Sequence, residues 1–199
     1  MGFSVILDII GSIIIGGILL TIVLRLTDTA AEKTHNYSGE LSLQQALVTV
    51  AQIVEHDFRK MGYCADWQKF PDPTRAIIQA DTSAIRFYTD YDNDGDIDSI
   101  RYYLGTTSEL AGTPNPRDRM LYRVVNTETA KTSNVGVTQF YLTYFDAFGD
   151  TLSLPIPDPR LINSFEINVQ VENSYAYDNK YSSAFWRQIR LVARNLRNR

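Results

Sequence analysis

The chain has 199 residues, a formal net charge of -4 and 12 Tyr against 2 Trp. This length suits one domain beside a separate N-terminal segment, and the lack of a basic excess disfavours a nucleic-acid partner. A lone cysteine, Cys64, excludes an intrachain disulfide. We expect a small buried hydrophobe there, with an intermolecular bridge as the alternative. Two histidines, His35 and His56, are expected on solvated surfaces, and so few ligands make a zinc site improbable.

The first element is an apolar run from Phe3 to Leu26, whose only charged residues are Asp8 and Arg25. It reaches the roughly 20 apolar residues that span a bilayer as a helix. No Lys or Arg precedes the run and no small-residue cleavage site follows it, which disfavours a secretory signal peptide. A buried core helix is a further alternative. The favoured interpretation is a single-pass membrane helix within residues 1–33.

Two features indicate that this helix packs on copies of itself rather than serving as a bare anchor. An ionisable group at membrane depth, here Asp8, is costly and normally has a partner. Ser12 and Gly16 are small residues four positions apart, which lets two helices approach closely. The sequence therefore predicts assembly contacts at Asp8, Ser12 and Gly16.

The stretch from Gly2 to Asp8, GFSVILD, resembles the start of type IV pilins and type II secretion pseudopilins. In those proteins a glycine, an aromatic, a small hydroxyl residue, aliphatics and an acid open one long helix that leads into a β-sheet head. The resemblance implies peptidase cleavage after Gly2. It also implies that the acid meets the N-terminal amine of a neighbouring subunit. Here the acid is Asp rather than Glu, and it lies one residue later than in the family.

A connector and an amphipathic helix are predicted over residues 34–62. Gly39 is a candidate break, Ser42 with Gln45 fits a capping box, and Gly62 fits a helix C-cap. Apolar residues recur at three and four positions between Leu43 and Met61, which is the helical period. The residues of this stripe are Leu43, Leu47, Val50, Val54 and Phe58.

Residues 63–199 are predicted to form an antiparallel β-sheet head, so that the fold class is α+β. Apolar and polar residues alternate from Phe165 to Glu172, which is typical of a half-buried strand. The other predicted strands are Ala84–Thr89, Ser99–Leu104, Met120–Val125, Val137–Phe145, Thr151–Leu154 and Ala184–Ala193. The order of a long helix, strands and an Asp-rich hairpin also resembles J-type minor pseudopilins and W-type minor pilins.

An acidic loop over residues 90–98, DYDNDGDID, is the clearest chemical motif. Calcium takes six to eight oxygen ligands, and alternating acids with a glycine at the sixth position can wrap one ion. The position that matches the bidentate glutamate of an EF-hand is Arg101, and strands are predicted on both sides. The sequence predicts a calcium site inside a β-hairpin, with magnesium or a metal-free acidic turn as alternatives. The predicted ligands are Asp90, Asp92, Asp94, Asp96 (through its backbone carbonyl) and Asp98.

The last predicted strand and the tail are rich in arginine, with no acid after Asp178. A charged surface strand is one interpretation, and ionic contacts with another subunit are a second, because Arg forms bidentate pairs with carboxylates. Anionic lipid head groups are a third. The candidate contact residues are Arg187, Arg190, Arg194 and Arg197.

No nucleophile elbow, phosphate-binding glycine loop or histidine-containing metal cluster is present in the sequence, so no enzyme activity is expected. The leading hypothesis is a structural subunit of a pilin-like filament or lattice at the cell surface, resident in the inner (cytoplasmic) membrane before assembly. Its partners are copies of itself and pilus or secretion machinery. The alternatives are a minor pseudopilin of such a machine and a membrane-anchored binding module.

Overall fold

The computed structural model describes residues 2–173 and 181–191. The chain divides into two compact units, an N-terminal unit, Met1–Leu41, and a head, Ser42–Arg199. A single helix, α1 (Gly2–Lys60), precedes an antiparallel sheet, and the last part of the helix packs on that sheet. The predicted α+β class is therefore confirmed.

The sheet of the head has seven strands, and their order in space is their order in the chain. Each strand pairs antiparallel with the next, so that every connection joins neighbours. The strands are β1 (Ile77–Ala80), β2 (Ala84–Thr89), β3 (Asp98–Leu104), β4 (Arg119–Val125), β5 (Lys131–Phe145), β6 (Ser164–Glu172) and β7 (Ser183–Leu191).

Helix α1 runs through Gly39 without interruption, so the predicted break there and the N-cap at Ser42 are wrong. A single glycine inside a helix costs about 1 kcal/mol relative to alanine, which neighbouring turns readily outweigh. Because the N–H groups after Ser42 bond to the preceding turn of the same helix, they need no capping side chain. The predicted C-terminal signal is confirmed, since α1 ends at Lys60 and Gly62 has a φ of 75°.

The N-terminal unit carries an apolar surface that no other described side chain of the unit covers. Apolar side chains from Ile6 to Leu26 are exposed, and Ile13 retains 68% of its accessible surface. Within the described residues, α1 is the one helix long and apolar enough to cross a membrane.

The hydrophobic core of the head lies between the C-terminal part of α1 and one face of the sheet. The predicted stripe is buried: Leu43, Leu47, Val50, Val54 and Phe58 are each less than 9% exposed. The ring of Phe58 lies at the centre, with centroid distances of 5.3 Å to Phe165, 5.4 Å to Phe87 and 5.6 Å to Tyr102. The helical period thus identified the packed face.

The strand predictions are largely confirmed, with three corrections. Strand β6 buries Phe165, Ile167, Val169 and Val171, as the alternation predicted, but Glu166 and Glu172 on its other face are also buried, so the strand is more than half-buried. The predicted strand Thr151–Leu154 is wrong, because only Thr151 forms a single bridge, to Phe145. Strand β1 was missed, because four residues are too short to show a period. The predicted extension of the last strand to residue 193 lies outside the described residues.

Replacement of Phe58 by Ala should destabilise the head by about 3–5 kcal/mol, since it removes a buried ring and leaves a cavity. Val48→Ala is the control, because Val48 is 53% exposed on the same helix, and its cost should stay within about 0.5 kcal/mol. Thermal or denaturant unfolding of the full chain, followed by near-UV circular dichroism, measures both. Equal losses for the two variants would contradict this packing.

Candidate metal site

The acidic loop lies between β2 and β3, beside the C-terminal end of α1. The hydroxyl of Thr89 donates to the Lys60 carbonyl at 2.8 Å, and Lys60 Nζ donates to the carbonyl of Tyr91 at 3.3 Å. Asn93 and Gly95 have φ values of 63° and 86°, which a left-handed turn requires. The helix end and two left-handed residues therefore fix the path of the loop.

Asp90 is fully buried at the base of this loop. Its Oδ2 accepts hydrogen bonds from the backbone N–H groups of Ala65 at 3.0 Å and Gly95 at 3.1 Å. Its Oδ1 is buried without a hydrogen-bond partner among the described residues. Burial alone would raise the pKa of this carboxyl, but the backbone donors outweigh it and hold the pKa below its usual value. The group is therefore a buried carboxylate with one oxygen still to be satisfied.

Three carboxylates converge in the loop: one oxygen each from Asp90, Asp92 and Asp98 lies within 4.8 Å of the others. Asp98 is held on both sides, because its Oδ2 accepts from the Tyr91 N–H at 2.9 Å and its Oδ1 from Asn126 Nδ2 at 2.5 Å. The Asn126 contact reaches the loop from the β4–β5 turn. No sequence pattern indicates this contact, since Asp98 and Asn126 lie far apart in the chain.

The Asp94 carboxylate lies outside this group of three, and binding through the backbone carbonyl of Asp96 stays a prediction. Asp94 Oδ1 accepts from the Asp96 N–H at 2.7 Å, which closes a turn, and the Asp96 carboxylate pairs with Lys69. Cys64 is buried as predicted, and its thiol donates to the Gly95 carbonyl at 3.5 Å. Burial raises the pKa of this thiol, so Cys64 packs beneath the loop as an inert side chain.

The donor set fits a hard divalent cation. Two oxygens bound to one calcium ion at 2.3–2.6 Å lie at most about 5 Å apart, which the three converging carboxylates satisfy. The buried Oδ1 of Asp90 has no hydrogen-bond partner among the described residues, and an unpartnered buried carboxylate oxygen is costly. Asp90, Asp92 and Asp98 would hold such an ion, and water and backbone carbonyls would complete its shell.

A second polar cluster, buried between α1 and the sheet, was not predicted. Asp57 Oδ2 accepts from the hydroxyl of Tyr102 at 2.6 Å and from Arg123 Nε at 2.6 Å. Burial, followed by the neighbouring Asp57 carboxylate, holds the pKa of Tyr102 well above its usual value. His56 is exposed as predicted, but Asp57 is 2% exposed rather than part of a solvated face. The sequence did contain a signal for the burial of Asp57, because Asp57 follows Val54 by three residues and so lies on the same face of the helix as the buried stripe.

The predicted assembly residues share one face of the helix in the N-terminal unit. Asp8, Ser12 and Gly16 follow one another at four-residue spacing, so they lie one above the other. Asp8 is exposed, and the hydroxyl of Ser12 donates to the Asp8 carbonyl at 2.8 Å. A Cβ at Gly16 would meet no atom within 4 Å, so the surface there is open to a close neighbour.

Of the four arginines predicted to contact another subunit, Arg187 forms an ion pair within its own chain. Its Nε and Nη2 donate to the two carboxylate oxygens of Glu166 at 3.0 and 2.9 Å. This pairing lowers the pKa of Glu166. The side chain of Arg190 and all of Arg194 and Arg197 lie outside the described residues. An ionic subunit contact at these positions stays a prediction.

Comparison with known proteins gives no match, either to a family model or to a curated protein.

The Glu166–Arg187 pair should make stability depend on pH in the acid range. Because the folded-state pKa of Glu166 is lowered, its contribution is complete above the unfolded value of about 4.3 and is lost as pH falls through the folded value. Arg187→Gln should therefore lower the melting temperature at pH 7, and its difference from the unmodified chain should shrink as pH falls through the folded value. The control is Arg86→Gln, since among the described residues the Arg86 side chain donates one hydrogen bond, to the Ser99 hydroxyl at 3.4 Å. A pH-independent effect of Arg187→Gln would contradict the assignment.

Proposed function

We propose that this chain is a structural subunit of a pilin-like assembly, resident in the cytoplasmic membrane before it joins a filament or lattice at the cell surface. The observation that carries the proposal is the apolar surface from Ile6 to Leu26, which no other part of the N-terminal unit covers. In water this surface requires either lipid or other copies of the helix. The resemblance of residues 2–8 to pilins supports copies of itself as the final partner.

The position of Asp8 favours assembly over passive anchoring. A carboxylate at the bilayer centre costs about 2.5–3.5 kcal/mol on insertion scales, and less near the interface, so Asp8 gains from a partner. Its face continues into Ser12 and Gly16, where a second helix can approach closely. A neighbouring copy therefore supplies both the packing surface and, as in pilins, an amine to pair with Asp8.

Calcium has a structural role in this proposal. An ion bound by Asp90, Asp92 and Asp98 neutralises carboxylates that otherwise repel one another. Because the loop contacts the end of α1 through Lys60, the ion also stabilises the joint between helix and sheet.

Calcium should raise the melting temperature of the full chain in detergent, and calorimetry should show one site per chain. Asp90→Asn or Asp92→Asn should weaken binding at least tenfold, because each removes a charge from the converging set. Asp94→Asn should weaken it less, since the Asp94 carboxylate serves the turn instead.

The matched control for these variants is Asp28→Asn, an exposed acid of the N-terminal unit, which should bind calcium unchanged. No heat and no melting shift at millimolar calcium would overturn the metal proposal. Equal loss for Asp94→Asn and Asp92→Asn would instead favour the EF-hand-like ligand set that the sequence predicted.

Asp8→Ala should abolish assembly while the head stays folded, because the head core contains no residue of the N-terminal unit. Electron microscopy of cell surfaces and sedimentation of the detergent-extracted chain measure assembly, and circular dichroism measures the fold. Asp28→Ala on the same helix is the control and should assemble normally. An unmodified chain that stays monomeric both in membranes and in detergent would overturn the proposed function.

A further inference from the structure

The head carries an open groove of about 570 Å³ between α1 and the start of β5. Its apolar lining comes from α1 and from β4 and β5, and Ile53 remains 48% exposed there. The main apolar residues are Val50, Ile53, Val54, Leu121 and Val135. The groove can therefore receive an apolar side chain of a partner.

Apart from Tyr91, the exposed titratable groups that line this groove are the basic residues His56 and Lys131. The side chains of His56 and Lys131 are 62% and 68% exposed. Asp57 also lines the groove, but it is buried and paired with Arg123. Glu128 lies 3.8 Å from Lys131 in a loose, exposed pair. A partner that carries carboxylates next to an apolar group would match this rim.

The same chain presents such a group at the turn between β5 and β6. Phe148 is 91% exposed at the tip of this turn, with Asp146 and Asp150 on either side. The turn is well fixed, since Asp146 Oδ1 accepts from the N–H groups of Phe148 and Asp150, both at 2.9 Å. Gly149 completes it with a φ of 91°. We refer to residues 146–150 as the Phe148 knob.

A chain cannot place this knob in its own groove. Val135 in the groove and Phe145 before the knob are separated along strand β5, and at about 3.3 Å per residue that distance is roughly 30 Å. The knob and the groove therefore lie at opposite ends of one strand, and only another molecule can bring them together.

We propose that the Phe148 knob of one copy docks in the groove of a second copy. The phenyl ring lies against Ile53 and Val135, and the Asp150 carboxylate faces Lys131 and His56. Because the two surfaces differ, the contact is heterologous, and repetition of it makes an open chain unless the rotation closes a ring. The inference rests on the proposed function and adds to it a specific contact between heads.

The ordered turn matters for the strength of such a contact. A side chain on a fixed turn loses little conformational entropy when it docks, and a central aromatic anchor commonly dominates an interface. Phe148→Ala should therefore weaken head-to-head association by about 30-fold or more. Phe185→Ala is the matched control, because Phe185 is 76% exposed on β7, away from the groove and the knob.

Site-directed cross-linking of the full chain tests the contact. Two preparations, one with Ala147→Cys and one with Gln52→Cys, are mixed, assembled in lipid and treated with a short bis-maleimide, so that Phe148 and Ile53 both stay in place. A covalent dimer that contains both variants is the expected product. Phe185→Cys mixed with Gln52→Cys is the control, and the unmodified chain reports any reaction of Cys64, which is buried. A yield from Ala147→Cys no higher than that of the control overturns the inference.

A charge exchange provides an independent measurement. Asp150→Lys alone and Lys131→Glu alone should each lower the cross-linking yield, and mixing the two variants should restore it. Singles that leave the yield unchanged, or a mixture that does not restore it, overturn the contact. Assemblies that form without the 147–52 product remove this inference and leave the proposed function standing. Chains that never assemble remove both.

Discussion

The packing of the last turns of α1 on the inner face of the sheet determines where every other feature of the head lies. Phe58 contacts rings from β2, β3 and β6, so one helical residue links strands from both halves of the sheet. The same turns carry Ile53 to the groove, Asp57 to Arg123 and Lys60 to the acidic loop. A change in the rotation of this helix would displace all three together.

Asp57 makes one rotation of α1 on the sheet specific as well as favourable. Hydrophobic contacts tolerate small rotations, but a buried carboxylate must keep its partners, and removing one partner of a buried pair costs about 3–5 kcal/mol. Tyr102 and Arg123 both reach the same Oδ2 of Asp57 at 2.6 Å. The apolar stripe thus supplies the stabilisation, and we infer that the polar cluster selects the register.

Sequence patterns predicted those parts of the structure that depend on residues close together in the chain. The stripe from Leu43 to Phe58 and the alternation in β6 identified both faces of the core, because burial follows the helical and strand periods. The break predicted at Gly39 is wrong, because one residue of low helix propensity does not end a long helix. The contact between Asn126 and Asp98 could not be predicted for a different reason, because it depends on how β4 and β3 are paired. The predicted acidic loop contains the converging carboxylates, but only the fold separates the carboxylates of Asp90, Asp92 and Asp98 from that of Asp94.

The acidic loop and the groove share one residue, Tyr91, and this connects the two proposals. The Tyr91 N–H donates to Asp98, one of the converging carboxylates, and its carbonyl accepts from Lys60. Its ring lies beneath the Arg123 guanidinium at 4.8 Å and forms part of the groove. An ion that fixes the loop would also fix this ring, and with it one wall of the surface proposed to receive Phe148. Calcium would then support assembly of the heads through the shape of the groove, without bridging two chains.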